Sequence, residues 1–352
     1  MTSRLRAGDV VEVRELSDIL ATLDSNGTLE AMPFMPEMVQ YCGRRFRVAK
    51  RAHKTCNTVN NSGGARVLSA VHLEGVRCDG GGHGGCQASC LMFWKEAWLK
   101  PVRDGGQDTA TESGAASALQ ALPEQWSRST RSEGVRYRCQ ITDLSEFTTR
   151  LPWWDARQYI EDFSSGNVGP AQFFRGVRYS IFRAIVASGH GYRMVRAAYN
   201  WLQRLRGGSS FPFVTGTLKK TPHQELGLQP GERVRVRSFE EIVATLDASS
   251  KNRGLGFDTS EMRLHCKKIF TVKARINRII NERTGEMMDF SNPCITLDGV
   301  YCTGETTETR LFCPRAITPY WREIWLERVG DAEPGKTGLR PGGARGREPA
   351  RS

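Results

Sequence analysis

Alternating apolar positions open two distant stretches of this chain in the same way. Val11 and Val13 follow Gly8, and Val234 and Val236 follow Gly231. A period of two after a turn residue predicts a short strand with one buried face. A helix-like stretch comes next in both places. In the second, Ser238 and Glu241 have capping-box spacing and lead into Ile242, Val243 and Leu246. Pro36 suits the first turn of another short helix, with Met38 turned inward. Two strand-like runs, 44–54 and 66–76, bracket Asn60-Asn-Ser-Gly-Gly64, which reads as a hairpin loop, and Glu282-Arg-Thr-Gly285 holds the same place later on. Each stretch closes on paired tryptophans, Trp94 with Trp98 and Trp321 with Trp325. Their spacing fits one face of a helix or a closing strand, and both alternatives place large aromatics in a small core.

These parallels form a register. Gly8-Asp-Val-Val-Glu-Val-Arg14 matches Gly231-Glu-Arg-Val-Arg-Val-Arg237, Ala21-Thr-Leu-Asp24 matches Ala244-Thr-Leu-Asp247, and Phe34 pairs with Phe257. Glu37-Met38 then meets Glu261-Met262, Cys42 meets Cys266, Cys78 meets Cys302, and Trp94-Lys-Glu-Ala-Trp-Leu99 meets Trp321-Arg-Glu-Ile-Trp-Leu326. Order kept over some ninety residues with small insertions is the signature of an internal repeat. The expectation is a mainly β chain with short helices (α+β), in which two tandem SH3-like or barrel-like modules are joined by a helical segment. The divisions are a first cysteine-bearing β module over 5–103, a flexible linker over 104–133, a helical connector over 134–227, a second cysteine-bearing module over 228–330 and a disordered tail over 331–352.

Within the connector, Phe174, Val177, Ile181 and Ile185 recur at helical spacing, and Val195, Ala198, Leu202 and Leu205 do so again. Charge sharpens this picture. The chain carries a formal net charge of +12, yet 163–224 holds no Asp or Glu. That stretch contributes Arg175, Arg178, Arg183, Arg193, Arg196, Arg204, Arg206, Lys219 and Lys220. A basic amphipathic segment of this kind contacts an anionic membrane surface, nucleic acid or a protein partner, or packs as an ordinary helical hairpin. No apolar run is long enough to span a bilayer, and the N-terminus has no apolar signal-peptide core. The placement expected is cytoplasmic, with room for peripheral membrane contact.

Ten cysteines in a chain without a signal peptide argue for metal ligation or buried thiols rather than a disulfide framework. The densest run is Cys78-Asp-Gly-Gly-Gly-His83-Gly-Gly-Cys86-Gln-Ala-Ser-Cys90, a glycine-rich loop able to close tightly. Aligned through the tryptophans, Cys42/Cys266, Cys78/Cys302 and Cys86/Cys313 are shared positions. The fourth thiolate is expected from Cys56 in the first module and from Cys294 in the second, on neighbouring hairpin strands. Four thiolates suit a structural zinc ion, with an iron–sulfur cluster as the alternative. A buried structural thiol is the competing reading for Cys42 and Cys266. His53, His83 and Cys90 have no counterpart in the second module, and Cys139 stands alone.

Four strings together, Pro33-Phe-Met-Pro-Glu-Met38, His72-Leu-Glu-Gly75 onward to Cys90, Pro152-Trp-Trp-Asp155, and Cys313-Pro-Arg315 with Pro319-Tyr-Trp-Arg-Glu323, resemble a family of bacterial cysteine-rich tandem-repeat proteins. The resemblance spans the chain apart from linker and tail and brings no established activity. Two function classes follow. One is a metal-stabilised binding or scaffold module whose basic connector addresses a partner. The other is a metal- or thiol-dependent enzyme, or biosynthetic accessory protein, using the surplus ligands around His83, Cys86 and Cys90. No P-loop, dinucleotide fingerprint, zinc-protease motif or Ser-His-Asp order points to a known reaction.

Overall fold

The protein is described here from a computed structural model covering residues 4–60, 63–102, 136–187, 192–206, 216–259, 261–305 and 311–329. The expected linker over 104–133 and tail over 331–352 lie outside the described residues. The fold is mainly β with short helices. In chain order, β1 (Val10–Val13) and α1 (Leu16–Leu20) precede the short ladder of β2 (Thr28–Leu29) and β3 (Met32–Pro33), followed by a 3-10 helix at Pro36–Tyr41. Then come β4 (Arg45–Arg51), β5 (Lys54–Asn57), β6 (Gly63–Val67), β7 (Ala70–Leu73), β8 (Trp94–Lys95) and β9 (Leu99–Pro101). The middle of the chain holds β10 (Thr148–Leu151), α2 (Arg157–Ser164), α3 (Pro170–Ala187) and α4 (Tyr192–Leu205). The last part comprises β11 (Arg233–Val236), α5 (Phe239–Val243), β12 (Lys251–Asn252), β13 (Leu255–Gly256), a 3-10 helix at Met262–His265, β14 (Ile269–Ile280), β15 (Met287–Leu297) and β16 (Leu326–Arg328).

The Gly-Val signals form the central strands. Gly8 and Gly231 turn with φ of +93° and +90°, a region that disfavours side chains. The valines that follow are fully buried. β1 pairs antiparallel with β4 and β9, Val11 facing Phe46 and Pro101. β11 pairs with β14 and β16, Val234 facing Phe270 and Arg328. Both sheets slip register one step into the next pairing, after Val48 and after Val272. The tryptophans occupy neither a helix nor one long strand. Trp94 sits in β8, while Trp98 and Trp325 end single 3-10 turns. Phe34 meets Trp98 edge-on at 5.3 Å, and Phe257 meets Trp325 at the same distance. The two tryptophans in the 3-10 turns each find a threonine hydroxyl: Trp98 donates to Thr22 Oγ1 at 3.1 Å and Trp325 to Thr245 Oγ1 at 2.9 Å. The capping box at Ser238 and Glu241 opens α5 as its spacing implies.

The connector is less helical, and less separate, than expected. β10 adds to β6 and makes a three-stranded sheet with β5, and Ile141, Leu144 and Phe147 enter the first core. Gln140 stitches this stretch in place, donating to the Phe93 and Pro33 carbonyls. The hairpins also reach beyond their own sheets. From β5, Cys56 N donates to Cys313 Sγ at 3.1 Å, while from β14, Ile280 N donates to Cys86 Sγ at 3.4 Å. Lys54 reaches the Leu311 carbonyl (2.7 Å), and Gln87 exchanges hydrogen bonds with Asn277 and Arg278. Each long hairpin therefore ends on the cysteine loop of the other segment.

Candidate metal centre

The loop from Cys78 to Cys90 is closed at its base, where Cys78 N donates to the Cys90 carbonyl at 2.9 Å. Gly80 makes the tight return, with φ of +76°; a Cβ there would lie 2.0 Å from the Cys86 carbonyl oxygen. This geometry turns His83 inward, where it is fully buried. Its Nδ1 lies 2.5 Å from Glu37 Oε1, which also accepts from Gly82 N at 2.9 Å. Glu37 is buried on the 3-10 helix that Pro36 begins. Burial works against its charged form, but hydrogen bonding and charge from His83 hold the carboxyl below the usual glutamate range. Glu37, Cys78 and His83 offer ligand atoms within 4.8 Å of one another, and they are the one such group among the described residues.

Two buried polar atoms at this site have no hydrogen-bond partner, His83 Nε2 and Glu37 Oε2. An unpaired buried imidazole nitrogen costs roughly 1–3 kcal/mol. A carboxylate on Nδ1 fixes the tautomer whose Nε2 carries the lone pair, which is how metal-bound histidines are commonly oriented. Cys78, His83, Cys86, Cys90 and Cys139 all border one cavity of about 30 Å³. Burial pushes the Cys90 thiol up to about 12 and that of Cys139 to about 11, and it raises Cys78 further still. Without a neighbouring cation these thiols hold their protons; a divalent ion supplies the charge that lets them ionise.

Sequence spacing alone misses Glu37, and it leaves Cys139 either docked on the first module or in a core. Glu37 enters the repeat only as a register mark opposite Glu261, although a buried acid in both stretches beside apolar methionines was a signal of a polar task. Cys139 is isolated in sequence and reaches the site because the connector folds back on the first core.

The remaining cysteines separate. Cys56 and Cys294, the expected fourth thiols, lie in different surroundings. Cys56 crosses to Cys313, because β5 runs past the sheet it starts from, while Cys294 lies 3.5 Å from Arg322 Nη1. Cys42 and Cys266 border their own cores, and burial pushes their thiols up to about 12 and about 11. His53 belongs to a different cluster, with Nε2 at 3.2 Å from both the Gln158 carbonyl and Asp162 Oδ1.

Of the connector arginines, Arg175 pairs with Glu305 at 3.2 Å, and Arg178, Arg204 and Arg206 are exposed. The side chains of Arg183, Arg193 and Arg196 lie outside the described residues. The apolar stripe is largely uncovered: Phe174, Ile181 and Ile185 on α3 and Met194, Trp201 and Leu205 on α4 are exposed. Both triplets have the same i, i+7, i+11 spacing, which puts each on one helical face. Among the described residues no helix is long and apolar enough to cross a membrane. Comparison with protein-family models and with curated proteins gives no match for this chain, so the functional reading rests on these residues.

Proposed function

We propose that this is a zinc-stabilised binding or scaffold protein that sits on anionic membrane surfaces. The metal half of the reading is carried by His83: a buried Nε2 with no partner, oriented by Glu37, beside a cavity bordered by four cysteines. Cys78 and His83, joined by two of Cys86, Cys90 and Cys139, supply the tetrahedral set that zinc prefers, with Glu37 as the carboxylate behind the histidine. The ion would fasten the loop, the connector through Cys139, and β14, whose Ile280 borders the same cavity.

The equal strand registers and the matching Phe–Trp–Thr clusters support two copies of one SH3-like module as the scaffold. The membrane half of the reading rests on the α3–α4 face. Phe174 (72% exposed), Met194 (79%), Trp201 (64%) and Leu205 (66%) stand in water beside arginines, in a stretch without acids. Phosphates alone would call for the arginines and leave the large aliphatic side chains without a role; a headgroup and acyl boundary takes both.

Metal analysis of anaerobically purified protein tests the first half. Stoichiometric zinc in a colourless protein, lost in His83→Ala, is the expected result. The visible absorbance of an iron–sulfur cluster would replace zinc, and a metal-free protein whose loop thiols react at once would remove the centre altogether. Vesicle co-sedimentation tests the second half. Binding to phosphatidylserine-containing vesicles that weakens with salt and is lost in Trp201→Glu is expected. Equal binding to neutral vesicles, or none to either, would overturn it, as would tighter salt-sensitive binding to nucleic acid.

One observation favours an enzyme as the second reading. Cys90 borders both the small cavity and a cleft of about 490 Å³ lined by Arg77, Glu282 and Tyr320. A Cys90→Ser variant that keeps fold and metal yet loses a cellular phenotype would support that reading.

A further inference from the structure

The crossed hairpins place thiols from both segments beside one another a second time. We infer that Cys56, Cys302 and Cys313 form a second site for a thiophilic divalent cation, one that neither segment can complete alone. It stands independently of the centre at His83. Cys56 N donates to Cys313 Sγ at 3.1 Å. Cys56, Cys302 and Cys313 border a single cavity of about 370 Å³, together with Glu261 and His265.

The two sites correspond position by position. Cys302 and Cys313 stand where Cys78 and Cys86 stand in the first centre, and Glu261 stands where Glu37 stands. Each carboxylate holds the loop after its cysteine. Glu37 accepts from Gly82 N and lies against His83, while Glu261 accepts from Thr303 N at 2.9 Å and from its hydroxyl. Gly304 makes the same left-handed return as Gly80, with a Cβ position 2.8 Å from Cys313 N. The hairpin residue arriving from the opposite segment is Ile280 at the first centre and Cys56 at the second, and both donate backbone N–H to the loop cysteine. At the first centre the inserted residue is apolar, and His83, Cys90 and Cys139 make up the ligand number. At the second those three are replaced by the thiol of Cys56.

The three sulfurs are not gathered within 4.8 Å of one another, the spacing reached among the described residues only by Glu37, Cys78 and His83. One step between staggered χ1 rotamers swings a cysteine sulfur by roughly 3 Å, and the side chains border open space in which to do it. Arg315, whose Nη1 is 3.8 Å from Cys56 Sγ, does not oppose a cation there, because Glu282 matches its charge at 2.6 Å. Three thiolates leave a fourth position for water or a ligand from the cavity, unlike a closed structural site.

Titration of the metal-free full-length protein with cadmium, followed by its thiolate charge-transfer band and by mass spectrometry under native conditions, tests this. Two ions per chain are expected. His83→Ala should keep one of them, Cys56→Ser and Cys313→Ser should each keep the other, and Cys294→Ser should keep both. Unchanged stoichiometry in Cys56→Ser overturns the second site while leaving the first in place. Loss of only one ion in total across His83→Ala and Cys313→Ser would mean a single shared centre and also overturns it. Alkylation of the wild-type protein needs no variant: cadmium should protect Cys56, Cys302 and Cys313 together and leave Cys294 as reactive as before. Protection of Cys302 without Cys56 would defeat the proposal.

Discussion

Asp162→Asn and Lys54→Met should both destabilise the protein, and unequally. Lys54 Nζ lies 2.5 Å from Asp162 Oδ2, with both side chains almost completely buried. Burial pulls the Lys54 ammonium below the usual lysine range, and the Asp162 charge opposes that pull. Breaking a buried pair by removing one partner costs about 3 to 5 kcal/mol, because an uncompensated charge stays behind. In Asp162→Asn the ammonium keeps the Leu311 carbonyl at 2.7 Å, Gln158 Oε1 at 3.4 Å and the Tyr159 ring at 5.0 Å. Those partners put the loss at the lower end, about 3 kcal/mol. In Lys54→Met the wholly buried Asp162 keeps only His53 as a close cationic candidate, at 3.2 Å, so the loss belongs at the upper end, about 5 kcal/mol. Replacing both, as Lys54→Met with Asp162→Leu, should return to within about 1 kcal/mol of the wild type, since well-packed apolar groups substitute for buried pairs at little cost. Urea unfolding under metal-saturating conditions measures all four proteins, read as shifts in midpoint at constant slope. Single variants that each cost less than about 1 kcal/mol, or a double variant as damaged as the worse single one, would refute the reasoning.

Other consequences can be measured in the same preparations. Glu37→Gln keeps the shape of the carboxyl but weakens its hold on His83, and metal affinity measured by chelator competition should fall by about 10- to 100-fold. His72 is wholly buried, with Nδ1 2.9 Å from the Met92 carbonyl, and burial pulls it from 6.5 to about 4. The unfolded chain therefore binds this proton first on acidification. Stability is retained above pH about 6.5 and is lost as pH falls toward about 4, by roughly 3 kcal/mol at most. A urea series across that window should show the slope, and His72→Phe should flatten it. Thr22→Val and Thr245→Val each leave a buried indole N–H unpaired, and thermal or urea unfolding should show matched losses of about 1 to 2 kcal/mol.

Much of the fold was legible because short-range rules act on it unopposed. A glycine that must turn, valines that alternate, and Ser238 with Glu241 at a helix start each act over a few residues, and tertiary contacts reinforce them. Pairings such as Val11 with Phe46 and Val234 with Phe270 follow from the same alternation. The tryptophans were ambiguous because a four-residue spacing is shared by helix faces and by strand-to-turn segments, and burial decides between them only once the sheet exists. The strand inside the connector was not legible for a related reason. Thr148–Leu151 carries no strong strand pattern, and it becomes a strand because the open edge of β6 offers it backbone partners.

The candidate centres show a sharper limit, and it is one of destination. Alignment through the tryptophans identifies Cys86 with Cys313, but no local rule says which hairpin will arrive beside them. Length hints at the answer. At roughly 3.3 Å per residue, a strand as long as Ile269–Ile280 far outruns a partner as short as Arg233–Val236. The surplus must bond to its own hairpin and to something outside its sheet, since backbone groups buried without partners are costly. Here it finds the cysteine loop of the opposite segment, in both directions. An isoleucine at the tip of one hairpin and a cysteine at the tip of the other then become the difference between two sites that otherwise share a plan. A ligand set written for each segment separately leaves Cys56 with its own loop, whereas the fold sets it beside Cys313.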